Sequence, residues 1–246
     1  MFFDLNSLVF FFIAFVGGLI AVPVGGSFLF VIPAFLLLGL DGLQTLLLGR
    51  IFMIAATGSS SAYFFTQQKF SWKQVFYFLS GNVIGLIIAA KVATSIEIDT
   101  LTAVVPWVLL GGAVLLLKEF KITNPKLQKI FFRLIPLIGC LLGFYAGLGG
   151  GGNGKIIVLL FTLALGWNFH KSIINTRLVE FFGNTIVVAA YLYFGSELTG
   201  FEIPVILGAI LGGFLGAKIT LKSKPKWLQK AFFVLVIISI IKTTLF

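Results

Sequence analysis

Laid over itself at an offset of 127 residues, the sequence places its least common residues on one another without a gap. Gly25 falls on Gly152, Gly39 on Gly166 and Arg50 on Arg177. Further along, "GNVIGLIIAAKVA" from Gly81 matches "GAILGGFLGAKIT" from Gly208, which pairs Gly85 with Gly212, Ala90 with Ala217 and Lys91 with Lys218. Chance similarity between two glycine-rich apolar halves accounts for matched glycines, but not for an arginine and a lysine held in the same register. The chain therefore reads as two copies of one unit.

Each copy divides into about five apolar segments, at 8–24, 27–40, 43–65, 72–93 and 99–118, then 130–148, 154–167, 171–195, 202–221 and 227–245. Hydrophobic residues make up 59% of the chain and charged residues only 11%, against about 45–50% and about 25% in soluble domains. The expected fold class is an all-α polytopic membrane protein of two inverted repeats. Residues 1–120 form the first repeat, 121–129 a basic cytoplasmic linker and 130–246 the second. Crossing about 30 Å of hydrocarbon takes about 20 helical residues. The second segment of each half is shorter than that, so both are expected to be broken, tilted or re-entrant.

The cations sit between the apolar runs. Lys118, Lys121, Lys126, Lys129 and Arg133 share one connection, and Lys218, Lys222, Lys224, Lys226 and Lys230 another. By the positive-inside rule both face the cytoplasm. Glu97 and Asp99, and Glu197 with Glu202, mark the opposite side. Five segments per half, threaded from these anchors, put both termini outside and make the halves antiparallel. The net charge of +10 is thereby assigned to orientation and not to a nucleic-acid partner. The opening "MFFDLNSLVFFFIAFVGG" has Asp4 and no basic residue ahead of its apolar run, unlike a cleavable signal peptide, and is expected to stay as the first span. One cysteine, Cys140, and one histidine, His170, exclude an internal disulfide and argue against a cysteine or histidine metal site. No HExxH, nucleophile elbow or P-loop is present, so an enzyme is not expected.

Chemistry is expected where the apolar pattern breaks. "GLGGGGNGKIIVLL", from Gly147 to Leu160, stands at the entry to the second half's short segment. Gly151, Gly152 and Gly154 let the backbone turn or approach a solute closely, and the N–H groups opening the next helix form an anion site. The first half offers Gly25, Gly26 and Ser27 at the matching place. Close helix packing is the plainer reason for such glycines, but Asn153 and Lys155 beside them favour a binding site. Arg50 and Arg177 each fall about seven residues into the third segment of their half. A central intramembrane arginine costs about 2.5–3.5 kcal/mol, so both need polar or anionic partners. Glu180 and Asn184 share a helical face with Arg177, whereas the face of Arg50 carries Met53 and Thr57, with Ser60 and Ser61 beyond. Arg50 is thus left with spare capacity for an anionic solute, and Glu180 with Asn184 are the candidates for coupling to protons. The structural alternative is that both arginines snorkel or bridge to backbone carbonyls. Inverted repeats with discontinuous helices are a common build of secondary transporters.

The glycine-rich entries to short segments ending in glycine ("GGSFLFVIPAFLLLGL" and "GGNGKIIVLLFTLALGWN"), the basic residue early in each following segment ("LLLGRIF" and "IINTRLVEFFGN") and the late "GGFLGAK" carry a resemblance over nearly the whole chain. In their order and duplication they resemble the sulfite exporter TauE/SafE family of membrane transporters, also called the TSUP family. The resemblance implies secondary transport of small sulfur-containing anions such as sulfite, sulfoacetate and other organosulfonates, or related organic anions. It also implies a bacterial-type inner membrane and no cofactor. Two departures bear on substrate preference: the first glycine stretch is eroded to "VPVGGS", and Lys155 stands where the family is usually apolar. A passive anion channel, an assembly subunit and a membrane-embedded enzyme are the competing readings. The partners expected are a small anionic substrate and the lipid bilayer, with a homo-oligomer left open.

Overall fold

A computed structural model describes residues 5–24, 27–67, 69–97, 125–150 and 152–222. The segments expected at 99–118 and 227–245 lie outside the described residues, as do Gly25, Gly26, Gly151 and part of the basic linker. Among the described residues every regular element is helical. In chain order they are α1 (Leu5–Val24), α2 (Phe28–Leu37), α3 (Gly42–Phe65), α4 (Trp72–Ser95), α5 (Pro125–Gly147), α6 (Asn153–Leu165), α7 (Phe169–Tyr193) and α8 (Glu202–Lys222).

Five of these, α1, α4, α5, α7 and α8, are long and apolar enough to cross a membrane. A helix satisfies its backbone polar groups within one segment, which is what hydrocarbon demands. Helix α3 has 24 residues, or about 36 Å at 1.5 Å per residue, yet carries an arginine and several hydroxyl side chains along its length. Its Thr45, Arg50, Thr57, Ser60 and Ser61 are all buried in the protein, so its polarity is turned inward and not toward lipid. The short segments are short helices: α2 has 10 residues and α6 has 13. At about 15 and about 20 Å neither traverses about 30 Å of hydrocarbon.

The same local device joins each short helix to the long one after it. Gly39 (φ 88°) and Gly166 (φ 63°) stop α2 and α6 in the left-handed region, which glycine enters without a side-chain penalty. An N-cap two residues later then starts the next helix. Asp41 accepts from Gln44 N at 2.8 Å to open α3, and Asn168 accepts from Lys171 N at 2.9 Å to open α7.

Helix partners are exchanged between the halves. Helix α1 packs on α8 and α4 on α5, α3 and α7 pack on each other, α3 also meets α8, and α7 also meets α4. The short helices stay within their halves, α2 against α1 and α3, and α6 against α5 and α7. At the α1–α8 crossing, Gly208 and Gly212 lie on the carbonyls of Phe11 and Phe15; at the α4–α5 crossing, Gly81 and Gly85 lie on those of Pro136 and Cys140. A Cβ at any of the four would strike backbone, so these are the close helix approaches that small residues permit in membranes. The carbonyl partners are two residues closer in sequence than the matched glycines, so α1 and α5 stand slightly out of the gapless register. Outward faces are apolar and exposed, as at Phe12 and Val16 of α1, Ile84 and Ile88 of α4, Leu137 and Leu141 of α5, and Leu207 and Leu211 of α8. Helices α3 and α7 form the interior, and their contact positions the site.

Candidate functional site

Arg50 and Arg177 stand about two turns into α3 and α7, the two helices that face each other at the centre. Their exposures are 5% and 1%, so neither snorkels to a surface. Arg177 is held by its own helix and by α1: Nη1 lies 2.6 Å from Glu180 Oε2 one turn on, and the same nitrogen donates to Ala21 O at 3.0 Å. Opposite charge and a carbonyl together offset much of the cost of burying a guanidinium.

Arg50 is held differently. Its Nη1 donates to Asn184 Oδ1 at 3.0 Å, and Asn184 is itself fixed because its Nδ2 donates to Glu180 O at 2.6 Å. The guanidinium carbon sits 4.3 Å from the centre of the Phe28 ring, a cation–π contact at the start of α2. Nε and Nη2 of Arg50 are buried without a partner, as is Nε of Arg177. Each unsatisfied buried donor costs about 1–3 kcal/mol, and more when charged, so an arginine carrying two of them is poised for an acceptor.

Both arginines line one small cavity, with about 30 Å³ open to the centre of a water-sized sphere, where a single ordered water takes about 10–15 Å³. Its walls combine Ser27 and Phe28 at the start of α2, Gly152, Asn153 and Gly154 at the start of α6, Glu180 and Asn184 of α7, and Asn82 of α4. The openings of both short helices thus converge on the two guanidinium groups. Gly152, with φ 75°, is the left-handed N-cap of α6 and supplies no side-chain cap. A Cβ at Gly154 would meet the Glu180 carboxylate and, at 2.9 Å, Arg177 Nη2. Glycine at 154 is therefore what lets the first turn of α6 rest on that ion pair.

The family model for the sulfite exporter TauE/SafE matches residues 10–243. The chain belongs to the TauE/SafE family. It is 27% identical over 220 residues, covering 89% of this chain and 86% of the relative, to a probable membrane transporter protein of Haemophilus influenzae. It is 28% identical over 221 residues, 87% of this chain and 82% of the relative, to the probable membrane transporter protein ORF9 of Sinorhizobium sp. It is 23% identical over 224 residues, 90% of this chain and 83% of the relative, to the probable membrane transporter protein YfcA of Escherichia coli K12. No solved structure matches the chain. With its five membrane-crossing helices, this is a multi-pass membrane transporter of the TauE/SafE type.

Within this TauE/SafE chain, Arg50, Arg177, Ser27, Gly152, Asn153, Gly154, Glu180 and Asn184 come together around the cavity. Lys155 is half-buried and outside the lining, because one residue beyond Gly154 it is turned about 100° around α6. Sequence reasoning passed over Asn82 and Phe28. Asn82 Nδ2 donates to Gly139 O at 3.1 Å, which ties α4 to α5 beside the cavity. An asparagine inside the apolar run "SGNVIG" was the available signal. Phe28 carried none, because one more phenylalanine in a chain with 29 of them does not stand out.

Proposed function

We propose that this membrane transporter is a secondary transporter of small sulfur-containing or organic oxyanions, among them sulfite, sulfoacetate and other organosulfonates, bound between the starts of α2 and α6. The observation that carries the reading is the Arg50 side chain, 5% exposed, lining the cavity with Nε and Nη2 unpartnered. A planar guanidinium fork suits the oxygens of an oxyanion, and charge-assisted hydrogen bonds made out of water are strong. The first-turn N–H groups of two short helices add donors and a favourable dipole. The cavity is small enough to select a small solute.

In this reading the halves are antiparallel, which the exchanged helix pairing supports; the protein sits in a bacterial-type inner membrane with both termini outside. Glu180 and Asn184, bonded to Arg177 and Arg50 respectively, connect the solute to coupling. Liposomes containing the purified protein are expected to exchange labelled sulfite or sulfoacetate for unlabelled anion inside, and Arg50→Ala and Arg177→Ala to abolish the exchange. Flux that follows voltage alone, with no such counterflow, would make the protein a passive anion channel. Unchanged exchange in both variants would reject the site.

A further inference from the structure

The two arginines stand in cradles built from the same three positions. In the 127-residue register Arg50, Met53 and Ser27 fall on Arg177, Glu180 and Gly154. Each trio also meets in space. Ser27, the N-cap of α2, points its hydroxyl at Met53 Sδ at 3.4 Å, one turn from Arg50. Gly154, in the first turn of α6, lies on the Glu180 carboxylate and Arg177. Even the supporting bonds correspond: Thr57 bonds back to the Met53 carbonyl at 2.5 Å, as Asn184 bonds back to that of Glu180.

One cradle is filled and the other is not. The Glu180 carboxylate lies against both the opening turn of α6 and Arg177, where an anion is favoured by helix dipole and guanidinium together. In the matching position Met53 offers a thioether with no charge, and there the buried arginine keeps two unpartnered donors facing the cavity. Among the described residues lining the cavity, the charged groups are Arg50, Arg177 and Glu180, leaving one positive charge uncompensated.

Resting on the reading of this pocket as an oxyanion site, we propose that Glu180 is a tethered anion filling the second of two equivalent cradles, so that the chain takes one exogenous oxyanion, at Arg50 and the start of α2. A carboxylate-for-solute substitution of this kind makes the site asymmetric although its scaffold is duplicated. Removing the carboxylate opens a second anion site, and placing a carboxylate at residue 53 closes the first.

The test is equilibrium binding of labelled sulfite and labelled sulfoacetate to the detergent-purified full chain, with Glu180→Ala and Met53→Glu beside it. The unaltered chain is expected to bind one anion, Glu180→Ala two, and Met53→Glu none while remaining monodisperse in gel filtration. Formate, small enough to replace the missing carboxylate, is expected to raise the melting temperature of Glu180→Ala by more than it raises that of the unaltered chain, whose second cradle is already filled by Glu180. One anion bound by the unaltered chain and still one by both variants overturns the tethered-anion assignment alone. If Glu180→Ala folds neither with formate nor without it, the assignment has lost its rescue and is overturned unless Met53→Glu has lost the anion. Binding of neither probe by the unaltered chain removes the oxyanion reading itself.

Discussion

Arg50 on α3 and Asn184 on α7 stand 134 residues apart in sequence and 3.0 Å apart at Nη1 and Oδ1. Asn184 is anchored by its amide nitrogen to the Glu180 carbonyl, so it orients the guanidinium as well as satisfying one donor. Asn184→Leu strips that acceptor and leaves Arg50 buried without a hydrogen-bonding side chain. Unfolding monitored by thermal melting in detergent is expected to show a loss of about 1–3 kcal/mol, with weaker sulfite binding. A melting curve and an affinity equal to those of the unaltered chain would show that the bond orients nothing.

Arg50→Lys keeps the charge and loses the planar fork. A compact ammonium cannot present two parallel donors to one oxyanion. Loss of one charge-assisted hydrogen bond, about 1.5–3 kcal/mol, corresponds to roughly 10- to 100-fold weaker binding in equilibrium titration. Retained affinity would mean that Arg50 contributes charge alone.

Gly154 and Gly166 separate contact from strain within α6. Gly154→Ala drives a Cβ onto Glu180 and Arg177, and counterflow is expected to fall at least about tenfold because the ion pair must move by enough to cost more than 1.4 kcal/mol. Gly166, at φ 63°, has open space around its Cβ position. Gly166→Ala is expected to cost about 1–2 kcal/mol of stability from backbone strain while leaving the exchange rate unchanged. Equal loss of exchange in both variants would remove the special role of the Gly154 contact.

At the α4–α5 crossing, Gly85→Val places a branched side chain on the Cys140 carbonyl. Overpacking costs about 1–3 kcal/mol or more even among flexible side chains, and backbone yields less. Fluorescence-detected gel filtration after heating is expected to show early aggregation. Ile84→Val, next in sequence on the exposed face, is expected to stay within about 0.5 kcal/mol of the unaltered chain.

Much of this architecture is legible in the sequence because membrane helices are written locally. Apolar length placed segments at 72–93 and 202–221, found as Trp72–Ser95 and Glu202–Lys222, and the short stretches at 27–40 and 154–167 became α2 and α6. The Arg177–Glu180 pair was visible because it spans one turn of one helix. What joins different helices was not. Nothing in the spacing tells Arg50 that its partner is Asn184, or Asn82 that it bonds to Gly139, since those contacts depend on how helices rotate against each other. That α6 rests on Glu180 through Gly154 is hidden for the same reason. Lys155 looked as good a ligand as its neighbours because only the helix phase separates it from the cavity.

Whether Arg50 seats the solute can be read from a density map of the full chain with bound sulfite, or with the heavier selenite in its place. One compact anion is expected within hydrogen-bonding distance of Arg50 Nε and Nη2, beside the first turn of α2, with the Glu180 carboxylate still on Arg177. An anion bound away from Arg50, or a map in which Arg50 turns to a carboxylate of the protein while the solute sits elsewhere, would contradict it.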